Sequence, residues 1–594
     1  MCIRDSAYTE ACDMWHWCNL SVLTLVVCLL PACYSYNDTN FFITPFINNS
    51  SCQSDACFTL SQFANLNIST ENANITLIVL PGNHSLDTDL SLMDLTELLV
   101  TPWYSHQAEQ PKIFCSLSAS LYIKNVSMVH FVGMEFIGCQ IINVSSTKHF
   151  FLWNVCIDYS TIFLLNDNYV AIEDSTFSNG QGVNSDHSGV QGKVGGAMVV
   201  IGSTTTITNS TFENNRADTG GALYIRDSNF IMNKCQFQRN VATIFGGGIL
   251  ALTTFILGKQ CSYFGNSARY GGVFLAHQSE ITVIDSHFDN NEADFSGGVL
   301  HVQQQSVVVI NNSRMVQNHA TMFGGVLTNI ILSTVVLIES TFSNNTSELW
   351  GGVTHFEQDS TVNIARCAFE LNLARAGGGV LSMFTSTLNV NSSTFSNNIA
   401  NNGTEYIEYA GRLVPNSTTF GGVIYAFQSN ISLYEGNILR NNKASAGGTI
   451  YILGSTNIPG SSIPGGLCNL NIVRNSFVNN SVVGGVILSI GCFVSDLDST
   501  FQYNAPHRKS AQEFEFEVLG NVSMVTDAVI FATNSIVFLN KTRFISNSAE
   551  IGASLIIGSS IMISFNLLME SNNGSIYIQA VSYTHLTLPT IYSV

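Results

Sequence analysis

Hydrolysis of a glycosidic bond needs two carboxylates held about 5 to 9.5 Å apart, so the acidic residues are the first to weigh. Asp218, Asp294 and Glu348 share one recurrent position in this chain, but Thr243, Arg269, Thr321 and Arg375 occupy the same position between them, and no two aspartates are adjacent anywhere. That mixture favours charge pairs, Arg269 with Asp294 and Glu348 with Arg375, each worth at most about 1 kcal/mol on a surface. Asp285 with Asp289, and Glu357 with Asp359, are isolated acids. His277, His287, His301, His319 and His355 show no recurring offset and no metal-ligand spacing with cysteine. A phosphate-binding loop, a dinucleotide glycine run and a nucleophile elbow are all missing from the text. These residues point to a non-enzymatic protein with no catalytic residue, cofactor or metal site.

Cysteine and asparagine carry the remaining chemistry. Of 15 cysteines, Cys2, Cys12, Cys18, Cys28 and Cys33 lie in an N-terminal leader-like segment, and the ten that remain suit an oxidising compartment. Cys52 and Cys57 can close a short loop, while the pairs Cys235 with Cys261 and Cys468 with Cys492 occupy equivalent places in successive repeats and are candidate bridges. Equivalent atoms on neighbouring rungs lie near 4.8 Å, inside the disulfide range of about 4.4 to 6.8 Å between Cα atoms. Cys367 shares the first column but has no neighbour there, so it pairs elsewhere or stays free. About twenty Asn-x-Ser/Thr sequons follow the leader, among them Asn67, Asn125, Asn209, Asn311, Asn344, Asn345, Asn391 and Asn430. The glycosylation candidates are Asn67, Asn125, Asn209, Asn311, Asn391 and Asn430.

What positions these residues is a repeat. "STFENNRADTGGALYI" at Ser210 returns as "CQFQRNVATIFGGGIL", "CSYFGNSARYGGVFL", "SHFDNNEADFSGGVL" and further copies, with a period of roughly 25 to 27 residues. One column holds Phe212, Phe237, Tyr263, Phe288, Met315, Phe342, Phe369 and Phe395. A second holds Asn215, Asn240, Asn266, Asn291, Asn318, Asn345, Asn372 and Asn398, and a third is small, from Ala217 to Ala400. Stretches such as "STVVLIES" alternate with period two, which marks strands with one buried face. No helical periodicity accompanies them, so the expected fold is all-β: a solenoid in which each repeat is one coil and each column a ladder. The aromatic ladder should stack inside the coil. The asparagine ladder should form a turn, with asparagine chosen for left-handed dihedrals and for an amide that both donates and accepts. The glycine pairs should serve a corner that a Cβ would obstruct.

Phe-x-x-Asn followed by Gly-Gly-Ala/Val-Ile/Leu resembles the repeat of the chlamydial polymorphic outer membrane proteins, which also occurs in large extracellular proteins of simple eukaryotes. The resemblance covers about Phe177 to Asn547. It implies a right-handed single-stranded parallel β-helix of the pectin-lyase-like kind, displayed outside the cell, with adhesive or surface roles. The C-terminal membrane β-barrel of the bacterial proteins has no counterpart in the present sequence, so their route of export does not carry over.

The expected organisation follows. Residues 1–6 and 581–594 read as translated adapter sequence, and 14–35 as a signal peptide with an apolar core of about eleven residues, too short to span a bilayer. Residues 36–110 form an N-terminal cap and first coils, with a short helix around Phe58 to Leu66. Residues 111–580 form the β-helix, interrupted by insertions near 401–419 and 504–527. The second insertion holds the densest charge, from His507, Arg508 and Lys509 to Glu513, Glu515 and Glu517. A membrane anchor would have to lie in sequence beyond the C terminus. Only 11% of residues are charged and the net charge is −19, which disfavours nucleic acid as a partner. The reading is a secreted or cell-surface β-helix presenting an extended surface for adhesion or ligand binding, carbohydrate included, to an extracellular partner. The alternatives are a polysaccharide lyase or glycoside hydrolase on the same fold, and a structural spacer.

Overall fold

The computed structural model describes residues 38–44, 57–65, 73–103, 110–116, 118–184, 192–400, 407–409, 412–414, 420–444, 448–454, 468–482, 485–505, 528–558 and 561–579. The segments read as adapter sequence and signal peptide, 1–6, 14–35 and 581–594, lie outside these residues, as do Cys52, Asn67 and most of both insertions.

One coil shows how the sequence builds the fold. The strand Val307–Asn311 has alternating burial, with Val308 and Ile310 pointing inward. Asn312 then turns the chain in the left-handed region, at φ 45°, and Ser313 follows fully inside. The strand Arg314–Val316 buries only Met315, after which Gln317 turns the chain again at φ 54°. The ladder residue Asn318 and the short strand His319–Ala320 come next. A glycine pair then leads into the strand Leu327–Ile330. Each strand pairs in parallel with its counterpart one coil on, so the coils generate a 20-stranded first sheet, two further long ladders and a narrow 12-stranded strip. The architecture is a right-handed parallel β-helix, the hand that parallel crossovers adopt. The antiparallel exceptions among the described residues are two small hairpins, Val183–Asn184 with Lys193–Val194 and Ile407–Tyr409 with Arg412–Val414.

The core is a set of straight columns. Phe177, Phe212, Phe237, Tyr263 and Phe288 stack at centroid separations of 4.7, 4.7, 5.3 and 4.5 Å. Phe342, Phe369 and Phe395 continue at 4.7 and 4.8 Å, with Met315 filling the gap between the two runs. Asn215 through Asn398 are fully buried beside them. Each asparagine amide works in both directions: Asn240 Nδ2 donates to the Phe212 carbonyl at 3.0 Å on the preceding coil and to Asn266 Oδ1 at 2.9 Å on the following one. The backbone N–H of Asn240 donates to the same Oδ1 at 3.1 Å.

Two expectations need correction here. The ladder asparagines do not take the left-handed conformation; the residue before each does, Asn214, Arg239, Gly265 and Asn290 among them. The ladder position needs an amide rather than an unusual φ. Within the segment read as cap and first coils, Asp38–Ile43 already pairs in parallel with Asn74–Val79. The cap helix is shorter than expected, Leu60–Ala64, with Thr59 and Gln62 closing a capping box at its start.

The glycine pair has a clear steric reason. Gly351 sits at φ +67°, and a Cβ on Gly352 would lie 2.3 Å from the Gly379 carbonyl oxygen. Both insertions leave from the same corner. The chain departs after Ala400 and Ala505, just beyond ladder residues Asn398 and Asn504, and returns at Phe420 and Ala528 ahead of the third ladder.

Candidate functional site

A flat parallel sheet presents every second side chain outward, about 4.8 Å from its equivalents on the neighbouring strands. Over most of the first sheet those outward places hold Thr, Asn and Val, as in Thr204, Thr206 and Thr208 or Asn363 and Asn389. The strands Met128–Val132, His149–Trp153 and Tyr169–Glu173 differ. Their inward residues, Val129, Phe131, Phe150, Leu152, Val170 and Ile172, are core. Their outward residues are Met128, His130 and Val132, then His149, Phe151 and Trp153, then Tyr169, Ala171 and Glu173, in strict register.

These side chains form one aromatic platform. The His130 and Phe151 rings stack at 4.6 Å with 23° between planes, and Phe151 lies 6.1 Å from both His149 and Tyr169. Trp153 remains 44% exposed and Tyr169 37%. Trp153 Nε1 donates to Asp174 Oδ2 at 3.3 Å, which fixes the indole while leaving its face open. Burial against Phe151, followed by the charge of His149, holds the His130 imidazole below its usual range. Such a surface offers flat π faces edged by hydrogen-bonding groups, the combination that takes an apolar ring face bearing polar substituents. The residue-level reading missed it. Its signal was in "HFFLW", where alternation alone places His149, Phe151 and Trp153 on the solvent side.

A second aromatic zone lies outside the third ladder. Tyr224, Leu250, Leu275, His301, Thr328, His355, Ser382, Tyr425 and Tyr451 stand in one column facing away from the coil. Phe323, Trp350 and Phe420 roof part of it. Within it His355 Nδ1 is hydrogen-bonded to Ser382 Oγ at 2.7 Å and Nε2 to Glu357 Oε1 at 2.8 Å. The His355 bond holds the Glu357 carboxyl below its usual range despite partial burial. Serine, histidine and carboxylate in one chain of hydrogen bonds is the layout of an acyl-transfer triad. Here the relay is closed: Ser382 is 0% exposed, Phe323 stacks on His355 at 4.7 Å, and a Cβ on Gly351 would lie 2.9 Å from Ser382 Oγ. No carbonyl can reach that hydroxyl, so in this arrangement the relay satisfies buried polar groups.

The other anticipated residues sort as follows. Arg375 pairs with Glu348 at 2.7 Å, as the repeat spacing predicts, whereas Arg269 lies over the Tyr270 and Phe295 rings, its guanidinium 5.4 and 6.0 Å from their centroids, in place of the expected pairing with Asp294. Among the described residues no group of three or more His, Cys, Asp or Glu could hold a metal ion. Cys468 and Cys492 are bridged, with Cα atoms 4.9 Å apart. A second bridge, Cys115–Cys139, was not anticipated, although its separation of 24 residues equals that of the first. Cys235 and Cys261 are free thiols, contrary to the bridge proposed from their spacing. They stand in for serines of an internal ladder, and each sulfur bonds to the carbonyl two residues back, as Ser210 and Ser286 do. Cys367 is also free, and Cys57 lies in the short strand Cys57–Phe58.

Residues 209–226 match the Chlamydia polymorphic membrane protein (Chlamydia_PMP) repeat. The match spans Phe212 of the aromatic stack, Asn215 of the amide ladder and the corner glycines Gly220 and Gly221, so the matched pattern is the one that builds a coil. No curated protein matches the chain. Among solved structures it is similar to the "Crystal structure of PfbA, a surface adhesin of Streptococcus pneumoniae", at 12% identity over 85% of each chain with a TM-score of 0.15. That superposition is too poor to bear on fold or function.

Proposed function

We propose that the protein is an extracellular or surface-displayed binding scaffold, and that the platform of His130, His149, Phe151, Trp153 and Tyr169 is a contact surface for carbohydrate. The observation that carries this is the platform itself: five aromatic and imidazole rings clustered on three successive strands in register, where outward rings elsewhere on the sheet, such as Phe255 or the Phe538–Phe565 pair, stand alone or in twos. Two bridged cysteine pairs support a location in an oxidising compartment. The rigidity of stacked coils serves binding, since the rings need no ordering when a ligand arrives.

The test is retention of the purified chain on a panel of immobilised polysaccharides, with release of sugar scored in parallel. The expected outcome is retention without release. Phe151→Ala together with Trp153→Ala should weaken it by about five- to 150-fold, because each aromatic contact contributes about 0.5 to 1.5 kcal/mol. Retention untouched by the double substitution would remove the platform from the proposal, and sugar release would replace binding by catalysis.

A further inference from the structure

Asn344-Asn345-Thr346 and Asn345-Thr346-Ser347 are overlapping sequons, and the fold treats their two asparagines in opposite ways. Asn344 stands exposed at a corner, at φ 55°. Asn345 is a rung of the buried ladder: its Nδ2 donates to the Met315 carbonyl at 3.1 Å and to Asn372 Oδ1 at 3.0 Å, and the residue is 0% exposed.

N-linked transfer joins the asparagine amide nitrogen to C1 of an oligosaccharide carried on a polyprenyl diphosphate. The N–C1 bond forms, the C1–O bond breaks, the lipid diphosphate leaves and the amide gives up one proton. A modified asparagine therefore keeps one N–H and carries a large polar group that must remain in water. Asn345 uses both of its N–H bonds inside the coil, so modification would remove one and drive sugar into a core with no room for it. Asn125, Asn391 and Asn430 resemble Asn344 in being exposed. Asn125 Nδ2 makes one hydrogen bond, to Asp94 Oδ1 at 3.1 Å, which the remaining N–H can keep.

We propose that Asn344, and not Asn345, carries an N-linked glycan, and that Asn125, Asn391 and Asn430 are glycan sites of the same kind. This rests on the reading that the chain enters a secretory compartment. The experiment expresses the full chain behind a heterologous leader in a glycosylating eukaryotic host, releases glycans enzymatically in ¹⁸O-water and reads the labelled aspartates by peptide mass spectrometry. Label is expected at positions 344, 125, 391 and 430, and none at 345. Asn344→Gln should remove one glycan from the secreted product without moving it one place along. Label at 345 in the folded, secreted chain would overturn the proposal, as would absence of label at the other four. Unlabelled chain from its native source, beside labelled chain from the host, would overturn the export reading and leave the sorting of the sequons intact.

Discussion

Asp496 is the side chain most out of place. Its column in the first sheet runs Leu433, Ile472, Asp496 and Leu539, so a carboxylate stands where its neighbours are aliphatic, and only 1% of it is exposed. Thr542 Oγ1 donates to one oxygen while the other has no partner. Burial pushes the carboxyl up to about 6, against the hydrogen bond from Thr542, which acts the other way. The folded state therefore holds this proton more tightly than the unfolded chain does. Stability from this group is present at low pH and is lost as pH rises from about 4 through 6. Asp496→Asn should raise stability at pH 7.5 by on the order of 2 kcal/mol and flatten the pH dependence across that window in chemical denaturation. A variant that keeps the wild-type slope would show that Asp496 is not its source. The ladder predicts the opposite sign of change. Asn318→Ala removes the partner of the Asn291 backbone N–H and of one of its two Nδ2 hydrogens, the other keeping the Tyr263 carbonyl, and takes a donor from the Phe288 carbonyl; all are buried, and the change should cost about 3 kcal/mol.

At the scale of elements, strands and corners were legible to different degrees. The inward columns could be placed from the text because period two and the 25 to 27 residue repeat agree. The corners could not, because left-handed residues there include Arg239, Thr253, Glu339 and Leu371, which no turn rule selects. The parallel ladders on either side impose that conformation. Ile331 shows the cost most plainly, a β-branched residue at φ 61° that is 38% exposed. Ile331→Asn should stabilise the fold by about 1 kcal/mol, read as a higher denaturation midpoint with an unchanged slope. No gain would mean that the apolar contacts of Ile331 offset its backbone strain. The platform escaped notice for a different reason: a column argument finds what recurs, and a site is what departs from recurrence. The free Cys235 and Cys261 make the same point, since spacing reports that two sulfurs are neighbours and not which partner each one takes.

The whole molecule behaves as a stack of similar units. Chains of this kind gain stability from contacts between neighbours, and unfolding spreads along them. Low charge and a net of −19 are tolerable because many outward places are filled by Thr, Ser and Asn, as on the strands Thr361–Ala365 and Thr387–Asn391. In hydrogen exchange, Asn318→Ala should raise the rates of coils near residues 290–345 and leave the platform coils at 128–173 unchanged; a uniform rise would indicate one global cooperative unit.

The asparagine amides extend that picture beyond nearest neighbours. Each one grips the coil before it through the carbonyl of a residue in the aromatic column, Phe212 for Asn240 and Met315 for Asn345, and the coil after it through the next amide, so a single side chain ties three turns together. Tension applied at one end of the solenoid is thus shared over several turns before any one yields. Under the proposed function, such a rod would bear shear as a stiff mast does, passing load from the platform along the axis without reshaping its rings.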